Sequence, residues 1–366
     1  MKLPLLAIPV CIAISANNVH AQALDKPMTN MRADVGKASA AQAKAEPNMQ
    51  KVLDALGSLG GKPAESLTPA EARKQPTPAD AVKKVLQQAG KSTEPEAVGD
   101  VKHMKIKGKY GEIPLHVYTP KAKGNGKGPL PIMVYFHGGG WVIADTKTYD
   151  ASPRALANGA EAIIVAVDYH KAPEFKFPAA PDDAFTAYQW VLEHAAEING
   201  DAKRVAVGGE SAGGNLATVV ALMARDKGVA MPVFQLLIYP VTDNAFDTPS
   251  YLANAAAKPL NKPMMQWFFK HYLAKAEDGN NVYVSPLKAK SLKGLPPATV
   301  ITVEIDPLMS EGKAYADRLQ ADGVAVNYKN YAGVTHEFFG MAGVVPLAKD
   351  AQALATADLR KAFAKK

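Results

Sequence analysis

Five residues, Gly209-Glu210-Ser211-Ala212-Gly213, decide the fold of this 366-residue chain. They follow the apolar stretch 204–207, which predicts a buried strand, and they lead into an apolar stretch that predicts a helix from about residue 213. The two glycines leave room for a sharp turn from strand to helix, which lifts the serine above the end of a sheet. A glycine-rich helix start that only allows close packing is the alternative. The strand–turn–helix context favours a nucleophilic serine.

Outward from this turn, apolar stretches alternate with helical ones. The first two stretches alternate in polarity and predict an antiparallel hairpin, whereas the later ones are continuously apolar, as in a parallel sheet covered on both faces. The chain is therefore predicted to be α/β, with a mostly parallel central sheet flanked by helices. The predicted strands are 101–106, 113–118, 131–136, 162–167, 204–207, 233–239, 298–303 and 325–328, and the predicted helices are 153–159, 180–197, 213–226, 311–321 and 347–364.

Two further segments do not belong to this alternation. Residues 46 to about 90 carry repeated helix-start signals, including the capping box Thr68-Pro69-Ala70-Glu71, and predict short helices that must dock on the rest of the chain. Residues 244–290 are too long for an ordinary connection, and they contain an aromatic-rich helix that starts near Asn261. That helix is apolar on more than one face, which leaves two interpretations: ordinary packing on the sheet, or a lid over a pocket.

A second motif, His137-Gly138-Gly139-Gly140-Trp141, follows the strand 131–136 directly. When a serine attacks a carbonyl, the resulting oxyanion is stabilised by backbone N–H groups, by about 2.7–4 kcal/mol per donor. Glycines let the backbone approach that oxygen closely. The spacing does not match a phosphate-binding loop. The N–H of Ala212, the residue after the nucleophile, is expected to supply the remaining donor.

The general base and its acidic partner are sought after Ser211, because this type of fold places them in the order serine, acid, histidine. Two histidines follow Ser211: His271 lies in the insert, and His336 lies in a loop after the last predicted strand. His336 is therefore the predicted base. Asp306 comes just after a predicted strand and is preferred to Glu304 as the acid, because Glu304 is close enough to the strand to point into the sheet.

With these motifs, the chain resembles bacterial esterases of the hormone-sensitive-lipase family, within the α/β-hydrolase superfamily, over residues 46–366. The resemblance rests on the two glycine motifs above, on Asp306-Pro307-Leu308, on His336-Glu337-Phe338 and on landmarks such as Asp168-Tyr169.

The resemblance implies an α/β-hydrolase domain at 99–366, with a helical cap formed by 46–98 and by the insert at 244–290. It also implies the roles of the site residues. These are the catalytic triad Ser211, Asp306 and His336, and the oxyanion donors Gly139, Gly140 and Ala212, with Gly138 shaping the turn.

The family often has Asp before the serine, where this chain has Glu210. This departure leaves open whether Glu210 braces the turn by hydrogen bonding or is a simple surface carboxylate.

The expected function is a serine carboxylesterase that hydrolyses short-chain acyl esters through an acyl-enzyme. Trp267 and Phe268 of the insert are expected to shorten the acyl pocket. The alternatives are a non-catalytic small-molecule receptor on the same fold, and an amide or lactam hydrolase using the same triad. The expected partner is a small ester. Neither a metal nor an organic cofactor is expected, and self-association is left open.

Composition and the first residues bear on location. The net charge of +7 is spread along the chain without a block of five or six like charges, so nucleic-acid binding is not expected. Residues 1–21 have a basic start, a short apolar run and small residues before the end, which predicts a signal peptide cleaved after Ala21, or alternatively after Ala23. Residues 22–45 are predicted to be a flexible leader. The chain is therefore expected to be exported to the periplasm or secreted, without membrane insertion after cleavage.

The single cysteine, Cys11, lies inside the predicted signal peptide, and the residues before it lack the small residue that lipoprotein processing needs. Cleavage after Ala21 leaves 345 residues with no cysteine and a net charge of +6, because Lys2 is the one charged residue removed. Such a chain has no disulfide to form in an oxidising compartment.

Overall fold

The computed structural model describes residues 43–121 and 128–365. The predicted signal peptide at 1–21 and most of the predicted leader lie outside these residues. The described part forms one eight-stranded sheet in the order β1-β2-β4-β3-β5-β6-β7-β8. The strands are β1 Asp100–Lys107, β2 Glu112–Thr119, β3 Leu130–Phe136, β4 Ile163–Val167, β5 Gly200–Glu210, β6 Gln235–Ile238, β7 Ala298–Ile305 and β8 Val326–Thr335.

Strand direction follows the sequence pattern. The strands β1 and β2 pair antiparallel with each other, and β2 also pairs antiparallel with β4. The remaining neighbours, from β4 through β3 to β8, are all parallel. The α/β-hydrolase fold with a mostly parallel sheet is thus confirmed. Because parallel strands end at the same edge, the segments after β3, β5, β7 and β8 come together there.

Helices cover both faces of the sheet. Successive residues of β3 belong to two separate apolar cores: Val134 and Phe136 face one, and Met133 and Tyr135 face the other. Helices α5, α6 and α9 pack on the first face, and α4 and α10 on the second. The helices are α1 Pro47–Gly57, α2 Pro69–Ala72, α3 Pro78–Gln88, α4 Ala151–Ala160, α5 Ala179–His194, α6 Ala212–Lys227, α7 Pro249–Ala253, α8 Lys262–Tyr272, α9 Met309–Ala321 and α10 Pro346–Ala364.

The short N-terminal helices dock on the rest of the chain. The N–H of Glu46 donates to the carbonyl of Gly333 at 2.7 Å, just before the predicted base. The Arg73 guanidinium donates to the Val142 carbonyl at 2.8 Å, and it also binds the carboxylate of Glu174 at 2.7 Å. These contacts join the N-terminal segment to the loops at the carboxyl edge of the sheet.

The N-terminal segment also meets the insert. The Trp267 indole N–H donates to the Leu67 carbonyl at 3.2 Å, and the Asn261 amide donates to Glu65 at 2.9 Å. The two segments that the resemblance assigns to a cap are therefore in direct contact. None of the helices in the described residues is long and apolar enough to cross a bilayer.

Candidate active site

Ser211 occupies a strained turn between β5 and α6. Its backbone has φ 58° and ψ −119°, a conformation that a non-glycine residue adopts only when the surroundings enforce it. Two backbone hydrogen bonds hold the turn: the Ser211 N–H donates to the Ile238 carbonyl at 2.9 Å, and the Val241 N–H donates to the Ser211 carbonyl at 3.2 Å. The serine is 4% exposed. The strand–turn–helix arrangement predicted for this motif is present.

Close packing at Gly213 brings the two glycine motifs together. A Cβ at Gly213 would lie 1.9 Å from the Phe136 carbonyl oxygen and 2.6 Å from that of His137. Only a residue without a side chain permits this approach. The end of β3, and with it the loop that begins at His137, therefore sits directly against the start of α6.

The predicted base and acid are hydrogen bonded. His336 Nδ1 donates to Asp306 Oδ2 at 2.7 Å, and both side chains are buried. Asp306 also accepts the Leu308 N–H at 2.9 Å, which fixes its carboxylate at the end of β7. Glu304, the rival candidate, instead accepts the Gly333 N–H at 2.7 Å and supports the loop before His336.

The charges around His336 favour its protonated form. Burial favours the neutral ring, but the Asp306 carboxylate and then those of Glu337 and Glu210 together outweigh it. The pKa of His336 therefore lies above its usual value. A base of this kind can take a proton from a serine and hold it during catalysis.

The structure does not form every contact of a triad. Among the described residues, Ser211 Oγ makes no hydrogen bond with His336, whose Nδ1 is bound to Asp306. The end of β6 lies near both residues: the Ile238 carbonyl accepts the Ser211 N–H, and the centroid of the Tyr239 ring lies 4.5 Å from that of the His336 ring. Catalytic hydrogen bonds often tighten only when substrate is bound. The other late histidine, His271, lies on the insert helix α8.

Glu210, next to the nucleophile, is a buried brace and not a surface carboxylate. It is 1% exposed, and it accepts hydrogen bonds from Tyr135 Oη at 2.5 Å and from Tyr239 Oη. Burial, with a smaller contribution from Glu337, raises the pKa of Glu210 to about 7. The tyrosines reach Glu210 from β3 and from the end of β6, so contacts between distant residues resolve the alternative that the sequence left open.

Glu337 is a site residue that the sequence reasoning did not single out. It has a left-handed backbone, with φ 73°, and its carboxylate accepts the Tyr149 hydroxyl at 2.6 Å. Its Oε1 lies 3.9 Å from His336 Nε2. Burial of most of the side chain raises the pKa of Glu337. The sequence includes Glu337 in the motif His336-Glu337-Phe338 but does not reveal its contacts, because the left-handed turn at Glu337 depends on its surroundings.

The loop after β3 presents unpaired backbone donors. Gly139 and Gly140 have φ 95° and 58°, and the N–H groups of Val142 and Ile143 close the turn onto the Gly139 carbonyl at 3.1 and 2.9 Å. Within residues 43–121 and 128–365, the N–H groups of Gly139, Gly140 and Ala212 donate to no protein acceptor. Backbone donors of this kind beside a nucleophile are suited to an oxyanion.

Aromatic residues of α8 cover this loop. The Trp141 ring stacks on Tyr272 with 4.1 Å between ring centroids and an angle of 6°. Phe268 lies directly on Gly140, since a Cβ there would come within 2.2 Å of its ring. The insert helix therefore packs on the predicted oxyanion loop itself, whereas the indole of Trp267 donates to the N-terminal segment.

Away from this group of residues, two features bear on binding. In the described part of the chain, no group of three or more His, Cys, Asp or Glu side chains is arranged to hold a metal ion. A cavity of about 280 Å³ lies at the amino-terminal ends of β6, β7 and β8, the edge opposite Ser211, and none of the predicted site residues lines it.

Comparison with known proteins identifies relatives of the chain. A family model described as an α/β-hydrolase fold matches residues 133–340. The carboxylesterase NlhH of Mycobacterium tuberculosis is 41% identical over 69% of this chain and 79% of its own length. The ethyl acetate hydrolase of Pseudomonas putida is 34% identical over 70% of this chain and 80% of its own length. The solved structure of a thermostable esterase from Pseudomonas putida is 41% identical, with a TM-score of 0.79, and covers 88% of this chain and 99% of that one.

Proposed function

The chain belongs to the hormone-sensitive-lipase family of α/β-hydrolases and is a carboxylic ester hydrolase, and we propose that it cleaves short-chain acyl esters by way of an acyl-enzyme. The observation that carries the proposal is the buried hydrogen bond between His336 Nδ1 and Asp306 Oδ2. Because Nδ1 donates its proton in this hydrogen bond, Nε2 is the unprotonated nitrogen and can act as the base. Ser211, at the strained turn on the same edge of the sheet, is the nucleophile.

The reaction follows from these assignments. Ser211 Oγ attacks the ester carbonyl carbon while its proton passes to His336 Nε2. His336 then gives this proton to the leaving alkoxide oxygen, so the alcohol departs and the acyl group stays on Ser211. A water molecule then attacks the acyl-enzyme while His336 takes a proton from that water. His336 returns the proton to Ser211 Oγ as the carboxylic acid leaves. Asp306 holds the ring and stabilises its charged form throughout.

The oxyanion formed in both steps needs donors. We assign this role to the N–H groups of Gly139, Gly140 and Ala212, which find no protein acceptor in the described chain. They lie on two segments that Gly213 allows into contact. Donors that are already oriented cost no reorganisation when charge develops, which is why such groups accelerate acyl transfer.

A substrate panel tests the proposal. We expect the purified protein to hydrolyse p-nitrophenyl acetate and butyrate, and Ser211→Ala to lose this activity while keeping its fold. Ser291→Ala is the matched control, because Ser291 is an exposed serine whose hydroxyl binds Asp322. Full activity of folded Ser211→Ala would contradict the assignment.

The preference for short acyl groups is assigned to Phe268. Its ring lies on Gly140, beside the proposed position of the carbonyl oxygen, so it shortens the space for the acyl chain. We expect Phe268→Leu to raise the rate on octanoyl esters relative to acetyl esters. Phe269→Leu is the control, since Phe269 lies on the same helix but packs against Trp141 and Phe246. Faster cleavage of palmitoyl than butyryl esters by the unmodified protein would rule out the preference.

The two other functions have separate tests. A receptor on this fold would bind small molecules without converting them. Hydrolysis of any ester in the panel would exclude this function. An amide or lactam hydrolase would need efficient protonation of an amine leaving group by His336. Comparing an anilide with its matched ester separates this function, and we expect the ester to react faster.

We also propose that the protein is exported, on the basis of the basic start, the apolar run and the small residues before Ala21. Expression in a bacterium followed by N-terminal sequencing tests this. We expect a periplasmic or secreted chain that starts at Gln22, or at Leu24 if the alternative cleavage site is used. A cytoplasmic chain that retains residues 1–21 would contradict the proposal.

A further inference from the structure

A small chamber with a mostly apolar lining lies beside two residues that adjoin the proposed triad. Its volume is about 40 Å³, and it is lined by two glutamates, Glu210 and Glu337. These residues directly adjoin the proposed nucleophile and the proposed base in the chain. Helix α3 lines one side of the chamber with the apolar residues Pro78, Ala79 and Val82.

Glu337 is the carboxylate nearer to the reacting nitrogen. Its side chain is 20% exposed, and its Oε1 lies 3.9 Å from His336 Nε2, the nitrogen that does not bind Asp306. The Tyr149 hydroxyl donates to the same Oε1 at 2.6 Å and fixes its position. The left-handed backbone at Glu337, with φ 73°, is strained for a residue with a side chain. Glu337 is thus held in place at a conformational cost.

Glu210 reaches the base less directly. Its carboxylate accepts the hydroxyl of Tyr239, whose ring lies 4.5 Å from the His336 ring, and the hydroxyl of Tyr135 on the other oxygen. Among the described residues, Glu337 comes into ion-pair distance of His336 Nε2, and Glu210 does not. A charge on Glu337 therefore acts on His336 more strongly than the same charge on Glu210.

Two largely buried carboxylates that line the same small chamber do not both ionise readily, because neighbouring negative charges repel in a medium of low dielectric constant. Burial raises the pKa of both groups, and the charge of Glu337 raises that of Glu210 further, to about 7. The other titratable groups that face His336 and the chamber come from β7, from the ends of β3 and β6, and from the segment before α4. They are Asp306, Tyr135, Tyr239 and Tyr149.

We propose that Glu210 and Glu337 share one proton, and that the single negative charge left on the pair makes Glu337 a positioning residue for His336, acting on Nε2 while Asp306 acts on Nδ1. The inference rests on the proposed function, in which His336 is the base. It adds a second anionic partner that helps to hold the protonated ring while Ser211 reacts.

If the two glutamates share one proton, replacing one or the other should have opposite effects on protonated His336. In Glu337→Gln the single charge must reside on Glu210, farther from His336, so the ring loses stabilisation of its protonated form. In Glu210→Gln the charge resides wholly on Glu337, close to Nε2, so the protonated ring gains stabilisation. The acidic limb of the pH–rate profile should therefore move in opposite directions. It should move down by about one pH unit in Glu337→Gln, and up by a smaller amount in Glu210→Gln, because Glu337 already carries most of the charge in the wild-type protein.

The experiment measures kcat/KM for p-nitrophenyl acetate and the second-order rate of Ser211 labelling by a fluorophosphonate, both from pH 5 to pH 9. Circular dichroism and thermal unfolding confirm that each variant is folded. Glu304→Gln is the matched control, because Glu304 supports the same loop through the Gly333 N–H but does not line the chamber. Its acidic limb should stay in place.

Opposite shifts support the shared proton. If the acidic limb moves to lower pH in both variants, the two carboxylates ionise independently. If the acidic limb moves in neither variant, the pair does not act on His336. Both results overturn the inference. If Glu337→Gln fails to fold, Tyr149→Phe removes the donor to Glu337 and is expected to move the limb down in the same way. An inactive, unlabelled wild-type protein would instead contradict the proposed function itself.

Discussion

Replacing Gly140 by alanine tests the contact between the proposed oxyanion loop and the insert helix. Gly140 has φ 58°, and a Cβ at this position would lie 2.2–2.5 Å from three ring carbons of Phe268. Non-bonded carbons prefer a separation of about 3.5–4.0 Å. The loop and the ring of Phe268 therefore have to separate by about 1.3 Å or more, and α8 or the oxyanion donor has to move.

The size of the effect follows from this displacement. Overpacking in a closely packed region typically costs about 1–3 kcal/mol of stability, and the left-handed backbone adds about 1–2 kcal/mol for a residue with a Cβ. A shift of about 1 Å in a catalytic group can cost about 100-fold in rate. We expect Gly140→Ala to lower kcat for p-nitrophenyl acetate about 100-fold and to reduce the free energy of unfolding by about 2–5 kcal/mol.

A double-mutant cycle with Phe268→Ala separates the two causes. Removing the ring relieves the clash but leaves the backbone strain, so Gly140→Ala should cost at least about 1 kcal/mol less in the Phe268→Ala background. Gly139→Ala is the control. A Cβ at Gly139 meets the Ile143 carbonyl oxygen at 2.3 Å, so truncating Phe268 should not relieve it. Equal costs of Gly140→Ala in both backgrounds would refute the reasoning.

Three further predictions concern the acid, the base and the N-terminal segment. Asp306→Asn should lower kcat about 10⁴-fold without unfolding the protein, because the amide no longer fixes the His336 tautomer; ester assays with a folding check measure this, and a loss below about tenfold would contradict it. The kcat/KM of the wild-type protein should fall as the pH drops through the raised pKa of His336, since the base must be neutral to accept the Ser211 proton; an unchanged rate down to pH 5 would contradict this. Arg73→Ala should lower the free energy of unfolding in urea by about 1–2 kcal/mol, more than Glu174→Gln, because Arg73 also binds two backbone carbonyls. Equal losses in these two variants would show that the partly exposed ion pair accounts for the whole effect.

Periodicity is sufficient to predict the sheet, because most of its strands are buried and continuously apolar. It is weakest at β8, predicted as 325–328 but extending over Val326–Thr335. This strand lies at the edge of the sheet, and its middle contains polar, exposed residues such as Lys329 and Asn330. There the pairing with β7, and not the hydrophobic pattern, determines where the strand ends.

Some residues of the candidate site can likewise be predicted from the sequence, and others cannot. Ser211, Asp306 and His336 can be predicted because each follows a strand that the sequence reveals. The burial of Glu210 and the position of Glu337 cannot, since they depend on hydrogen bonds from three tyrosines, most of which are remote in the chain.

The insert is ambiguous for a similar reason. Its sequence shows a helix that is apolar on more than one face, but not the surface that the helix covers. Only the packing of Phe268 on Gly140 and of Tyr272 on Trp141 shows that α8 lies on the proposed oxyanion loop.

Labelling by a fluorophosphonate tests the central claim, that Ser211 is activated by His336 and Asp306, most directly. Intact-protein mass spectrometry followed by peptide mapping should find one adduct per chain, located on Ser211. The adduct should be absent in Ser211→Ala and should form much more slowly in His336→Ala. A wild-type protein that is folded but forms no adduct, or forms it on another residue, would contradict the claim.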